Sequence, residues 1–317
     1  MPSPTRRMFK TDPVLTTFAQ NWHQDESKAT YRSFSTTQPV QEQSGKYREY
    51  DLGDLLRDDA RAVGPGAPAP LTGQGQTKNT YDCEVVELGV AITEQDVANA
   101  RSDIDLDRDA VHLIQQKMAI SLEKKAMNTL INAVGVWDNE VTVGATKWSA
   151  GGATPIQDMQ NAMVQMESET SLMPNWGFGS RRAIMALLQR DDVKDVIKST
   201  EDKIPTIALL AKAIGLAGIT VGSMVENRAA QGVADDIGFI APDSFLLYHL
   251  APSGASDRTP TAVKTFVWSN LTKMNDLGVR MRRYEEPKNK IEVIEGQYAC
   301  DLKITGSMLG YRFDAVL

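Results

Sequence analysis

A pairing near the front of the chain constrains its fold most. A run rich in Gly, Pro and polar residues, 51–80, is followed closely by a strong helical pattern over 107–134. The run contains Val63-Gly-Pro-Gly-Ala-Pro-Ala-Pro70 and then Gly73-Gln-Gly-Gln-Thr-Lys-Asn79, a composition that predicts a loop. Strand-like stretches bracket it, 46–52 before and 81–93 after. Together they predict a projecting two-stranded arm of roughly 40 residues with little apolar content. Such an arm buries little surface alone and must lie on something else. The chain therefore reads as an assembly subunit rather than a catalyst.

The helix has its own message. A short helical turn is predicted over 94–100, and Asp103, Asp105, Asp107 and Asp109 gather where a helix N-terminus favours negative charge. Val111, Ile114, Met118 and Leu122 form one apolar stripe; Leu113, Ile120, Met127 and Ile131 form a second. Two stripes predict two buried faces. About 27 residues at 1.5 Å each give a spine of roughly 40 Å, with Gly135 as its stop.

Residues 1–45 are a polar lead-in with isolated apolar points at Phe9, Leu15, Phe18, Trp22, Tyr31 and Phe34. Two readings stand: a disordered tail, or an extended arm that orders only against a neighbour. Further on, Thr154-Pro155-Ile156-Gln157 has the form of a capped helix start. Ile156, Met159, Met163 and Met166 share one stripe, which reads as core packing rather than a soft binding groove. Ser180 caps a helix running to Leu188; 191–197 continues as a polar turn or helical extension, and 208–216 is helical. Strands are predicted at 219–221, 237–240, 245–250, 264–268, 278–284, 291–293, 298–304 and 310–313. No regular βαβ alternation links these elements, so the class is α+β.

Composition sets looser bounds. A chain of 317 residues, 42% hydrophobic, can bury a real core in one large or two ordinary domains. No run of about 18 apolar residues predicts a membrane span. The basic start Met1-Pro-Ser-Pro-Thr-Arg-Arg has no apolar stretch behind it, so no secretory signal is expected. A net charge of -7 disfavours a dedicated nucleic-acid binder, yet it is compatible with a shell that merely encloses nucleic acid.

Catalytic chemistry is not legible. No catalytic, cofactor-binding or metal-binding residues are predicted, and no cofactor. His23, His112 and His249 pair with no nucleophile, and HExxH, Walker A and GxSxG patterns are absent. The Gly215–Gly222 run precedes a strand instead of following one, so it fails as a dinucleotide loop. Asp58-Asp59, Asp191-Asp192, Asp235-Asp236 and Glu285-Glu286 read as solvated turn carboxylates. Cys83 and Cys300 fit no metal spacing and read as two reduced, half-buried thiols, with a disulfide between them as the alternative. In the alternating strand 280–283, Arg280 and Arg282 share one face and Arg283 the other. Intersubunit salt bridges are expected there, and contact with packaged nucleic acid on an inner surface is the open alternative.

The order of these elements resembles that of tailed-bacteriophage major capsid proteins with the HK97 fold. The resemblance covers nearly the whole chain and rests on co-linearity. Residues 174–194, beginning Pro174-Asn-Trp-Gly-Phe, resemble the strand, helix and polar turn of the family's axial (A) domain. Residues 234–248 resemble the stretch entering a core strand, and 298–311 the closing hairpin from the peripheral (P) domain. The resemblance implies an N-terminal arm at 1–45 and an extended two-stranded E-loop at 46–93. It implies a P-domain at 94–148 with spine helix 107–134, an A-domain at 149–262, P-domain return strands at 263–306, and a C-terminal A-domain strand at 307–317. It further implies self-association into hexamers and pentamers of an icosahedral shell, with the spine helix pivoting as an immature shell expands. Possible partners are separate scaffolding, portal and decoration proteins, together with non-specifically held double-stranded DNA; a membrane is not one. The implied location is the virion, after assembly in the host cytoplasm. Some relatives carry a scaffolding domain ahead of the arm; this chain starts with the arm, so a separate scaffolding protein or none is implied. Lys78 and Asn289 are the residue types of the founding member's isopeptide cross-link, but nothing nearby marks them as a pair, and cross-linking is not expected. Competing readings are an encapsulin-like cargo shell of the same fold, an α+β enzyme with 51–80 as a lid, and a tail-tube or decoration component.

Overall fold

Two five-stranded sheets meet at one long helix in the computed structural model. The structure describes residues 28–100, 105–144, 146–201, 204–252, 259–273, 275 and 277–317. The first half supplies β1 (Thr36–Val40), β2 (Ser44–Tyr50), α1 (Leu52–Leu55), β3 (Gln76–Asp82), β4 (Glu84–Thr93), α2 (Glu94–Asn99), α3 (Leu106–Met127) and β5 (Asn139–Thr142). The middle supplies α4 (Pro155–Thr170), β6 (Trp176–Ser180), α5 (Arg181–Gln189), α6 (Asp191–Glu201), α7 (Ile207–Ile214), β7 (Gly218–Gly222), β8 (Val225–Asn227), β9 (Ile237–Phe239) and β10 (Phe245–Tyr248). The end supplies β11 (Val263–Trp268), α8 (Ser269–Thr272), β12 (Arg280–Glu286), β13 (Ile291–Ile304) and β14 (Gly310–Asp314).

The long strand β13 organises the first sheet. One edge carries β4 antiparallel from Ile291 to Cys300; the other carries β12 and then β11. On the far side of β11, β1 adds in parallel. Helix α3 packs against this sheet through Ile114, Met118, Leu122 and Ala126. The approach is close at Gly296, where a Cβ would stand 2.3 Å from Ile114 Cγ2. Glycine there lets the helix rest on strand backbone.

The second sheet runs β5-β14-β10-β6-β7. All four residues of β10 are buried, and alternation divides them. Leu246 and Tyr248 join the core beneath α3, whereas Phe245 and Leu247 join a second core with Met159, Met163, Met166 and Leu210 from α4 and α7. A single strand therefore seals both cores.

Where α3 ends, the backbone widens into a π turn over Asn128–Asn132. Such a turn leaves carbonyls without the usual helical partners. Trp137 Nε1 donates to the Leu130 carbonyl at 2.8 Å. Arg312 on β14, 2% exposed, donates to the carbonyls of Ile131 and Ala133, both at 2.5 Å. The helix end is thereby pinned to the second sheet.

Several expectations need correction. The lead-in neither trails as a tail nor waits for a neighbour throughout: Phe34 is fully buried against Phe178 and Tyr248, and 36–40 form β1. Phe9, Leu15, Phe18, Trp22 and His23 lie outside the described residues, as does Asp103. The stretch 81–93 divides at Cys83, its first part completing β3 and its second forming β4. The spine helix is buried around most of its girth: Ile114, Met118 and Leu122 of the first stripe and Met127 and Ile131 of the second are buried, while Leu113 of the second is 43% exposed. Strands 291–293 and 298–304 are one continuous β13. Thr154 precedes Pro155 as expected but makes no capping bond to the backbone.

Candidate assembly surfaces

The arm is a real hairpin. Strands β2 and β3 pair antiparallel from Ser44↔Asp82 to Tyr50↔Gln76 and, among the described residues, to no other strand. Their sequences are polar, so their main-chain bonds hold them together and their root holds them to the body. At that root Tyr81 stacks on Phe266 of β11 with centroids 4.7 Å apart, and Tyr47 tilts onto the same ring at 5.3 Å. Aromatic pairs of this geometry contribute about 0.5–1.5 kcal/mol beyond area burial. Gly45 makes room, since a Cβ there would lie 2.6 Å from the Tyr81 hydroxyl. The Asp82 amide donates to Asp301 Oδ2 at 2.9 Å, and the Cys83 amide to the Gln43 carbonyl at 2.9 Å.

Beyond the hairpin the chain makes only local contacts. Asp51 caps the single turn of α1 by accepting from the Gly53 amide at 2.8 Å. Asp54 accepts from the Gly75 amide at 2.9 Å, and Thr72 donates to Asp59 at 2.7 Å. These bonds shape the tip without covering it. Leu55 is 66% exposed, Leu56 58% and Leu71 98%.

A buried carboxylate fixes the lead-in to the spine. Glu123 on α3 is 1% exposed and accepts from the amides of Thr30 at 2.8 Å and Tyr31 at 2.9 Å. The Thr30 hydroxyl also donates to it in a short bond. Burial pushes this carboxyl above its usual range, against the pull of those three donors. Read in sequence, Glu123 sits among Lys124 and Lys125 like a solvated helix residue, so nothing local signals its role.

Next to it an open groove of about 600 Å³ runs between α3 and the first sheet. Val86, Ile120 and Tyr298 give it apolar surface; Lys117, Lys124 and Lys125 give it positive charge. Lys125 pairs with Glu84 at 3.0 Å and Lys124 with Glu226 at 2.6 Å. Lys117 has no ion-pair or hydrogen-bond partner among the described residues.

The expected arginines find partners within the chain. Arg282 meets Glu295 at 2.7 Å, Arg283 bridges Asp107 at 2.6 Å and Glu292 at 2.5 Å, and Arg280 donates to the Leu271 carbonyl at 2.6 Å. Intersubunit pairing is not required to explain them. Cys83 and Cys300 are free and fully buried rather than half-buried. Burial pushes their thiols up to about 11 and about 12, which leaves them unreactive.

Of the acidic pairs expected in turns, Asp191-Asp192 instead open helix α6 and Glu285-Glu286 end strand β12. Asp192 pairs with Arg190 at 2.8 Å, Asp191 with Lys194 at 3.0 Å, and Asp235 accepts from Asn227. His112 is exposed, and His249 Nδ1 lies 2.7 Å from the Met173 carbonyl. Among the described residues no group of His, Cys, Asp and Glu could hold a metal ion, and no helix is long and apolar enough to cross a membrane. Asn289 donates to Glu286 at 2.9 Å, and Lys78 pairs by backbone with Arg48.

No protein-family model matches the chain, and no curated protein matches it by sequence. Solved structures do match. A phage-related protein from Bordetella bronchiseptica is 19% identical with a TM-score of 0.69, over 97% of this chain and 98% of that one. The capsid of cyanophage P-SCSP1u is 11% identical with a TM-score of 0.60, over 94% and 91%. An encapsulin from Synechococcus elongatus is 13% identical with a TM-score of 0.51, over 96% and 95%. Likeness at these identities concerns fold: the chain has the α+β fold of HK97-like phage capsid proteins.

Proposed function

We propose that the chain is a major capsid protein that self-assembles into the icosahedral shell around the genome of a tailed double-stranded DNA phage. One observation carries the reading: a body with two sealed cores extends a hairpin whose tip leucines, Leu55, Leu56 and Leu71, stand exposed. Exposed leucines on a polar projection are costly to leave in water and mark a contact surface. The overlap along nearly the full chain with a phage capsid supports the same reading. In it, 1–45 serve as the N-terminal arm and 46–93 as the E-loop. Residues 94–148 and 263–306 form the P-domain; 149–262 and 307–317 form the A-domain. The role is structural rather than enzymatic. Closed symmetry repeats each modest contact many times over, so the shell is stable although single contacts are weak. Scaffolding, portal and decoration proteins, and DNA held non-specifically inside, complete the partner set. Assembly takes place in the host cytoplasm and the product is the virion. An encapsulin-like cargo shell is the second reading, favoured by the overlap with the cyanobacterial encapsulin, and differs in contents.

The test removes the tip alone. Tyr50 faces Gln76 across the hairpin, so Asn-Gly can replace 51–75 and close it with a two-residue turn. The tipless protein is expected to unfold at the wild-type temperature yet sediment as small species where the wild type forms particles. Wild-type-sized particles from the tipless protein would contradict the E-loop role, and small species from the wild type would contradict the shell itself.

A further inference from the structure

We infer that the free edge of β4 is an interface between two copies of this chain, joined there as one continuous antiparallel sheet about a two-fold axis at Gly89. The inference rests on the shell reading for the presence of a second copy. The arm takes no part in it.

The first ground is the backbone. β4 is ten residues long and pairs with β13 along one side; among the described residues no second strand pairs with its other side. Every second residue of an antiparallel strand turns its N–H and C=O away from its partner. Proteins normally blunt a long edge of that kind with Pro, Lys or a bulge. Glu84-Val-Val-Glu-Leu-Gly-Val-Ala-Ile-Thr93 contains neither Pro nor Lys, and its register against β13 runs unbroken from Thr93 to Glu84. Gly89 and Ala91 are exposed, so only small side chains stand beside the open edge there. The group that completes such an edge is another strand.

The second ground identifies that strand as another β4. Val86, Leu88, Val90 and Ile92 face the first core, while Val85, Glu87, Gly89 and Ala91 face away from it. A two-fold axis through the sheet sets like faces side by side. Centred on Gly89, it pairs Val86 with Ile92 and Leu88 with Val90, so the inner face is apolar throughout. On the outer face it pairs Glu87 with Ala91 and Val85 with Thr93, and no two carboxylates meet. Centring on Glu87 instead sets the two copies of that carboxylate directly opposite, and centring on Leu88 sets them diagonally at about 7 Å. Glu84 falls outside the paired run and is held by Lys125 at 3.0 Å.

The third ground is what the pairing covers. Val86, Leu88 and Val90 pack on the core yet stay half-buried, because the sheet ends at their strand. Val85 on the other face is 38% exposed. A second β4 covers the flanks of all four and satisfies the outward main-chain groups in the same step.

Thiol capture reads the register. Glu87→Cys with Ala91→Cys sets a thiol of each copy opposite one of the other, and mild oxidation should give a dimer on a non-reducing denaturing gel. Either substitution alone should not, because its two copies stand four residues apart along the strand, about 13 Å, against a disulfide reach of about 7 Å. Charge reads the strength. Ala91→Glu places carboxylates opposite each other twice over by symmetry and should cut the fraction sedimenting above monomer size about tenfold; adding Glu87→Lys should restore it. A dimer band from the double cysteine variant, where the wild type forms no particles, would keep the pairing and contradict the shell. Particles from Ala91→Glu at wild-type yield, with no dimer band, would overturn the pairing and leave the shell reading standing. Outward β4 amides already protected from hydrogen exchange in dilute monomer would mean that another part of the same chain covers the edge, and would equally overturn it.

Discussion

Replacing Glu123 with alanine tests how the lead-in is held to the spine helix. The side chain is the acceptor for two buried amides, Thr30 and Tyr31, and for the Thr30 hydroxyl. Thr30 is 3% exposed and Tyr31 7%, so water does not readily replace the lost acceptor. Each buried donor left unpaired costs about 1–3 kcal/mol, which gives about 2–6 kcal/mol for the two amides. Removing the carboxylate also removes its own desolvation penalty, which offsets part of the loss. The net expectation for Glu123→Ala is a loss of about 2 kcal/mol, or a Tm lower by about 4 °C for a domain of this size. Hydrogen exchange should localise it, with the amides of Thr30 and Tyr31 losing protection before the sheet does.

The same group gives a pH dependence of known sign. Burial raises the folded-state value, so the native state holds a proton that the unfolded chain releases. Its stabilising contribution is fully present below the ordinary carboxylate value and is lost as pH rises through the raised one. Measured against the non-titrating Glu123→Gln, the wild type should lose stability with rising pH across that window. Unchanged protection of Thr30 and Tyr31 in Glu123→Ala, together with an unchanged Tm, would refute the clamp.

Two further outcomes follow from the buried groups. Arg312→Met should cost about 3–5 kcal/mol in chemical denaturation, because it strands the carbonyls of Ile131 and Ala133 and leaves Asp314 without its 3.4 Å partner. A variant as stable as wild type would mean that the π turn needs no anchor. Cys83 and Cys300 should resist a maleimide at neutral pH in the native protein and react only on unfolding, since both titrate far above it. Rapid labelling of either in the folded state would contradict their burial.

The periodic elements were legible in the sequence because their signal is side-chain burial. Ile114, Met118 and Leu122 announce α3, Ser180 caps α5, and the Met159–Met163–Met166 stripe is core. The elements that escaped are held by backbone. β1, Thr-Thr-Gln-Pro-Val, carries one aliphatic side chain and owes its place to main-chain pairing with β11. The polar β3 gains its strand character from β2. β13 read as two strands because Gly296 interrupts the pattern, yet that glycine is where Ile114 presses on the backbone. Among the candidate contact residues, composition marks the projecting arm, but its return strand is 76–82, and 84–93 pairs with β13 in the body instead. Glu123 carries no such mark, since a carboxylate beside two lysines looks solvated until the chain from Thr30 is laid over it. The groove lysines likewise gain meaning only when the sheet brings Val86 and Tyr298 beside them.

Electron microscopy of the purified protein tests the central claim most directly. The account predicts closed icosahedral particles of a single dominant size, tens of nanometres across on the scale of many 30–40 Å domains side by side. A uniform population of isolated monomers at concentrations where shells should form would contradict it.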